Sequence, residues 1–148
     1  MKNFVLIGFV LALGLIGMIG CSGNCPVQGT VTYSDDGSPL NQGYLIFDNG
    51  KVSGRAEIQS DGTYAAGLKN PGSGLPKGTW YITVLGAEKR AEAKPSKDAT
   101  GNVMISMKPD SITPLIDEKY KRAETSGLSI TVDGSVKKFD LKVDRPKK

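Results

Sequence analysis

Regular alternation of apolar and polar positions begins at residue 27. In VQGTVTY, 27–33, Val27, Gly29, Val31 and Tyr33 fall on one side of an extended chain, and Gln28, Thr30 and Thr32 on the other. That period of two is the signature of a half-buried strand. SDDGSPL follows with a turn at Asp36-Gly37, where Asp can bond its own backbone and Gly accepts a positive φ. GYLIFD, 43–48, is a more continuous apolar strand, and Asn49-Gly50 is a strong hairpin signal ahead of VSGRAEI, 52–58. Asp61-Gly62 introduces a fourth strand in SDGTYAAG, 60–67, and NPGSGLPKG, 70–78, is a loop. TWYITVLG, 79–86, is the strongest strand pattern, with Trp80, Ile82 and Val84 on one face. Residues 87–101 lack aliphatic and aromatic bulk and are expected as an exposed loop or a frayed helical turn. NVMISM, 102–107, gives a sixth strand. GLSITVD, 127–133, and VKKFDLKV, 136–143, joined through Asp133-Gly134, are expected to form a closing hairpin.

Short strands at this spacing, with turns between them, predict an all-β chain: a single, roughly seven-stranded antiparallel β-sandwich over 27–143. Alternation implies one packed and one solvated face for each sheet. No segment carries a long helical period, and no unit of 20–50 residues repeats. The abundance of glycine (19) and the 8 prolines suit a chain of strands and turns.

The first twenty residues differ in kind. Met1-Lys2-Asn3 is short and positive, and 4–20 runs without a charge to small residues at its end. That describes a secretory signal. A spanning helix needs about 20 predominantly apolar residues. This run is shorter and is interrupted by Gly8, Gly14, Gly17 and Gly20, so a cleaved signal is expected rather than a retained anchor. Met18-Ile19-Gly20-Cys21 resembles the lipobox of bacterial lipoproteins, with Met18 in place of the usual leucine and Ile19 in place of a smaller residue. The resemblance implies that the Cys21 thiol carries diacylglycerol, that cleavage precedes Cys21, and that the new amine is acylated. Residues 21–26 would then be the lipidated cysteine and a short tether. Two or more acyl chains hold a protein stably where one does so only marginally.

The cysteines admit other readings. A Cys21–Cys25 disulfide would close a very small loop and stabilise little. A redox pair needs C-x-x-C, and here three residues intervene. A metal site needs further Cys or His ligands, and the chain has no histidine. Cys25 is expected to be an idle thiol.

Charge narrows the picture modestly. There are 19 Lys and Arg against 15 Asp and Glu, a net +4, with basic residues scattered apart from Lys89-Arg90, Lys137-Lys138 and the tail 144–148. No basic stripe with aromatic support appears, so no nucleic-acid partner is expected. The 144–148 tail is expected to fray.

Three segments together carry a family resemblance: VQGTVTYSDDGSPLNQGYLIF (27–47), GLPKGTWYITV (74–84) and PLIDEKYKRAETSGLSITVDGSVKKFDLKV (114–143). They resemble small secreted or lipidated proteins of planctomycete-like bacteria that carry a carboxypeptidase-regulatory-like domain. The family pattern is a D-G-x-P-L turn, matched by Asp36 to Leu40; an L-P-x-G-x-Y strand, with Trp80 where tyrosine is usual; and a P-x-x-Y segment closing on T-S-G-L, matched by Tyr120 and by Thr125 to Leu128. The resemblance implies a transthyretin-like seven-stranded sandwich and a lipoprotein address, and no catalytic residues. In the third segment Leu115, Ile116 and Tyr120 can pin a polar loop to the sandwich as a structural strap. The alternative is a binding loop built on Tyr120, Thr125 and Ser126.

Catalysis finds little support. Without histidine the Ser or Cys nucleophile arrangements that use it are excluded. Asp35, Asp36, Asp61, Asp117, Glu118 and Asp133 are the candidates for paired-carboxylate chemistry, but most stand beside glycine in turns. No cofactor, phosphate-cradling loop or metal motif is present in the sequence. Tyr33, Tyr44, Tyr64, Trp80 and Tyr81 could build an aromatic sugar platform, or fill the core. The expected function is a non-catalytic binding or structural module of the cell envelope, held to a membrane through Cys21, the outer membrane being favoured. Its partner would be an unidentified envelope protein or polysaccharide. The alternatives are a carboxylate-dependent, carbohydrate-active envelope enzyme and a surface protein that self-associates through an exposed edge strand.

Overall fold

The computed structural model describes residues 23–90, 96–97, 100–104, 112–135 and 138–147. The signal-like run and Cys21 lie outside the described residues. In chain order the strands are β1 (Gln28–Tyr33), β2 (Tyr44–Asp48), β3 (Ser53–Glu57), β4 (Thr63–Ala65), β5 (Gly78–Leu85), β6 (Glu88–Arg90), β7 (Ser96–Lys97), β8 (Val103–Met104), β9 (Ile112–Pro114), β10 (Leu128–Val132) and β11 (Leu141–Val143). A 3-10 turn at Glu118–Lys121 and a one-turn helix, α1 (Ala123–Ser126), precede β10.

The chain is all-β, as its alternation predicts. Seven strands form two sheets, of order β11-β1-β4 and β10-β5-β2-β3. Their inward residues meet in one core. Val31, Tyr64, Leu141 and Val143 come from the first sheet, and Leu45, Phe47, Trp80, Ile82 and Val84 from the second, all buried. The Phe47 and Tyr64 rings meet across the gap at 6.1 Å. Trp80 is fully enclosed, and its indole N–H donates to the Pro76 carbonyl at 3.0 Å. That bond removes the cost of burying an unpaired polar atom within the largest core side chain. The hairpin at Asn49-Gly50 joins β2 to β3, with Asp48↔Ser53 as its terminal pair, and Gly50 holds a φ of 79°.

Three expectations are corrected. The sandwich is not purely antiparallel: β1 runs parallel to β11, with Val31 opposite Leu141 and Tyr33 opposite Val143. β10 and β11 do not form a hairpin. β10 pairs with β5 in one sheet, while β11 crosses to β1 in the other. Alternation specifies which face of a strand is buried, and it is silent about which neighbour the strand takes. The crossing is made possible by Gly29, where an added Cβ would lie 2.0 Å from the Phe139 carbonyl oxygen. The connection is fastened there by Phe139 N–H donating to Gln28 O (2.8 Å) and by the Tyr64 hydroxyl donating to Phe139 O (2.6 Å). The third correction concerns 87–101. Glu88–Arg90 is a strand, antiparallel to β9, and Ser96–Lys97 pairs with β8. Backbone pairing satisfies these segments without apolar side chains, because the ribbons belong to neither sandwich sheet. Of the sixth strand expected over 102–107, Val103–Met104 is extended, and residues 105–107 lie outside the described residues.

Candidate functional site

The sequence-predicted site residues Tyr120, Thr125 and Ser126 stand on the segment that closes one end of the sandwich. Asp117 caps the 3-10 turn, accepting from Lys119 N–H at 3.0 Å, and Gly127 ends α1 in the left-handed region at φ 65°. Ile116 and Tyr120 are buried, and Leu115 packs against the core. The Tyr120 hydroxyl donates to Asp144 Oδ2 (3.0 Å) and accepts from Asp144 N–H (3.1 Å). Thr125 Oγ1 donates to Lys119 O at 2.6 Å. Ser126 Oγ donates to Ala123 O (3.4 Å) and accepts from Leu128 N–H (3.2 Å). All three hydroxyls are thus used within the protein. They do not converge on a shared opening: of the three, only Thr125 lines the adjacent depression of about 480 Å³, with Glu118, Lys119, Lys121 and Arg122. The geometry is that of a strap.

Asp144 is the knot of this end. Its carboxylate accepts from Lys119 Nζ, from the Ser34 hydroxyl and from Tyr120, and its backbone carbonyl accepts from Asp117 N–H at 2.9 Å. Hydrogen bonds from Lys119, then Ser34 and Tyr120, hold its carboxyl at about 2, and the same bond raises Lys119. Arg145 lies beside it. Its Nε donates to Asp35 Oδ2 and its Nη2 to Asp36 Oδ2, both at 2.8 Å, while the guanidinium stacks 3.7 Å above the Tyr33 ring. Asp36 is held at about 2, first by the Ser38 hydroxyl and N–H and then by Arg145. The tail expected to fray from residue 144 is therefore bound at its first two residues. Sequence reasoning missed this because Arg145 and its carboxylates are about 110 positions apart, and no spacing rule links them.

The opposite end holds the start of the fold. Cys25 pairs with Leu75 by two backbone bonds, Cys25 N–H to Leu75 O (2.7 Å) and Leu75 N–H to Cys25 O (2.8 Å), and both side chains are buried. Gly74 makes room for this clamp: its φ is 78°, and an added Cβ would sit 2.5 Å from Cys25 O. Cys25 is a buried free thiol.

The carboxylates considered for catalysis serve turns. Asp61 accepts from Thr63 N–H (2.9 Å) and Oγ1 (2.7 Å), bonds that lower its pKa. Asp133 does the same for Ser135, and Asp35 accepts from Asp36 N–H. Glu118 pairs with Lys121 at 3.3 Å on the surface. The aromatic platform is not formed. Tyr33, Tyr64 and Trp80 are core, Tyr44 lies half-buried 3.9 Å beneath the Arg55 guanidinium, and Tyr81 alone of the five is exposed. Burial pushes the Tyr64 hydroxyl well above its ordinary range. An open depression of about 620 Å³ beside Tyr64 is rimmed by Gln28, Glu57, Gln59, Thr63 and Lys138.

No family model and no curated protein matches the chain. Among solved structures it is similar to the major pilin subunit of Bacillus cereus, BcpA. A single-residue variant of that pilin aligns at 10% identity and a TM-score of 0.42 over 84% of this chain, and the unsubstituted pilin at 10% and 0.40 over 83%. The chain spans 30% of each pilin. It is also similar to a 9R-lipoxygenase from Cyanothece PCC8801, at 14% identity and a TM-score of 0.30, over 83% of this chain and 16% of that one. Likenesses this distant carry no functional argument.

Proposed function

We propose that the protein is a lipid-anchored, non-catalytic module of the bacterial cell envelope, of the carboxypeptidase-regulatory-like, transthyretin-like kind. The observation that carries this reading is Met18-Ile19-Gly20-Cys21 at the end of a charge-free run, only four residues before the folded core begins at Cys25. A lipidated Cys21 makes that short spacing a tether. The commitment of the turn carboxylates and strap hydroxyls to internal hydrogen bonds supports a binding or structural role over hydrolysis. Growth of cells expressing the full chain with labelled palmitate tests it. The wild-type protein is expected to incorporate label, and the Cys21→Ser variant to incorporate none. Equal labelling of both, or of neither, would refute the anchor.

A further inference from the structure

The clamp of Cys25 to Leu75 fixes how the domain can sit above its membrane. Four residue steps separate Cys21 from Cys25, a reach of at most about 14 Å when fully extended. β5 alone, eight residues long, spans about 26 Å between the two ends, so a chain anchored at Cys21 cannot float free of the bilayer or turn its far end toward it. The end carrying Cys25 must face the headgroups.

That end has the chemistry for the contact. Among the described residues it consists of the β2–β3 turn, the 66–77 connection, the start of β5, and residues 133–135 and 138–140. Lys51, Lys69, Lys77 and Lys138 are exposed on these segments. Lys77 lies beside Cys25 itself: a Cβ placed on Gly134 would be 3.5 Å from Lys77 Cε and 3.8 Å from Cys25 Sγ. Lys138 stands opposite Gln28, at the start of β1. Lys51, Lys69 and Lys77 make no ion pair with the described residues, while Lys138 pairs with Asp140 at 3.1 Å. Asp48 and Asp133 share this end, and each spends an oxygen on a turn N–H. Val52, an apolar side chain left 46% exposed, adjoins Lys51 at the tip of the β2–β3 turn. Three lysines without an ion pair among the described residues, and a fourth paired only at the surface, around an exposed aliphatic tip match an anionic headgroup layer, in which the charges remain hydrated and the apolar tip enters the interface.

We infer that this end is a membrane-docking surface: Lys51, Lys69, Lys77 and Lys138 bind anionic phospholipid headgroups and hold the sandwich upright, with the strap and Asp144 facing away from the bilayer. The inference rests on the proposed anchor at Cys21, and it adds a defined orientation and a lipid preference.

The test uses the full chain, extracted from membranes and reconstituted into vesicles of phosphatidylcholine with or without phosphatidylglycerol. Cys25 is buried, so a fluorophore can be directed to Ser135→Cys at the docking end or to Glu124→Cys at the strap. Headgroup-labelled lipid then acts as the quencher. With phosphatidylglycerol, quenching at position 135 is expected to exceed that at 124. Each Lys→Gln change at 51, 69 or 77 is expected to lower the docked-to-undocked ratio about fivefold. Equal quenching at both positions in vesicle-bound protein would overturn the docking surface and leave the anchor standing. Protein that dissociates from the vesicles in high salt, yet shows the 135-over-124 difference in low salt, would support the docking surface and overturn the anchor.

Discussion

The two ends of the sandwich use charge in opposite ways. At the strap end three cations are matched to carboxylates: Lys119 to Asp144, Lys121 to Glu118, and Arg145 to Asp35 and Asp36, while the exposed Arg122 and Lys142 make no ion pair with the described residues. Lys119 and Arg145 join segments distant in sequence, tying the strap to Asp144 and the tail to the turn after β1, while Lys121–Glu118 is local to the strap. At the Cys25 end the clamp is made of backbone hydrogen bonds, and Lys51, Lys69 and Lys77 stand unpaired among the described residues. Most ion pairs that hold distant segments together lie at the strap end, and at the Cys25 end the paired lysine is Lys138, bound to Asp140. The difference teaches that charged residues of a mildly basic surface are not equivalent. Those that cross-link segments contribute to stability, and those that stand unpaired can be exchanged at little cost to the fold.

The largest effect is expected where both ends meet, in the shared core. Trp80→Ala removes the fully enclosed indole and its bond to Pro76, and is expected to cost about 3–5 kcal/mol in chemical denaturation. A change below 1 kcal/mol would mean that the ends are not supported by one core. Next is the backbone clamp. Gly74→Ala forces a side chain into left-handed backbone and against Cys25 O, and is expected to destabilise by about 2 kcal/mol or more. A stable Gly74→Ala protein would show that the fold does not depend on the Cys25–Leu75 pairing.

The strap end responds to acid. The carboxyls of Asp36 and Asp144 sit at about 2 in the folded chain, below their ordinary 3.8. Their contribution is therefore fully present above about pH 4 and is lost as pH falls from about 4 to about 2. Thermal melts across that window should show the loss. Asp144→Asn should lower stability at neutral pH by about 1 kcal/mol, a value discounted for the half-exposed site, and should flatten the acid limb. An unchanged acid limb would remove Asp144 from the latch. The smallest effect belongs to the Cys25 end. Lys51→Gln, Lys69→Gln and Lys77→Gln are each expected to leave the melt within about 0.5 kcal/mol of wild type. A larger loss would assign those lysines to stability and erase the contrast between the ends.

The parts of this fold that local patterning controls were legible in the sequence. Val31 and Tyr33, then Trp80, Ile82 and Val84, alternate inward as their strands require, and Asn49-Gly50 and Asp61-Gly62 turn the chain where those residue types turn best. Partner choice was not legible. Nothing in LKV at 141–143 says that it pairs parallel with β1, because that outcome depends on where the chain can cross Gly29. The strand at 88–90 was hidden because its pairing with 112–114 needs no apolar side chain. For the candidate site, the strap and its anchors Ile116 and Tyr120 could be read from the sequence. The lock on it could not, since Asp144 reaches Lys119, Tyr120 and Ser34 across the fold. The place of Lys77 beside Cys25 became visible only in the fold, since 52 positions separate them.

The proposed membrane anchor at Cys21 is decided by the intact mass of the N-terminal peptide of protein extracted from native membranes. The expected peptide begins at Cys21 and carries the added mass of diacylglycerol and an amide-linked acyl chain. An unmodified peptide beginning at any other residue would contradict it.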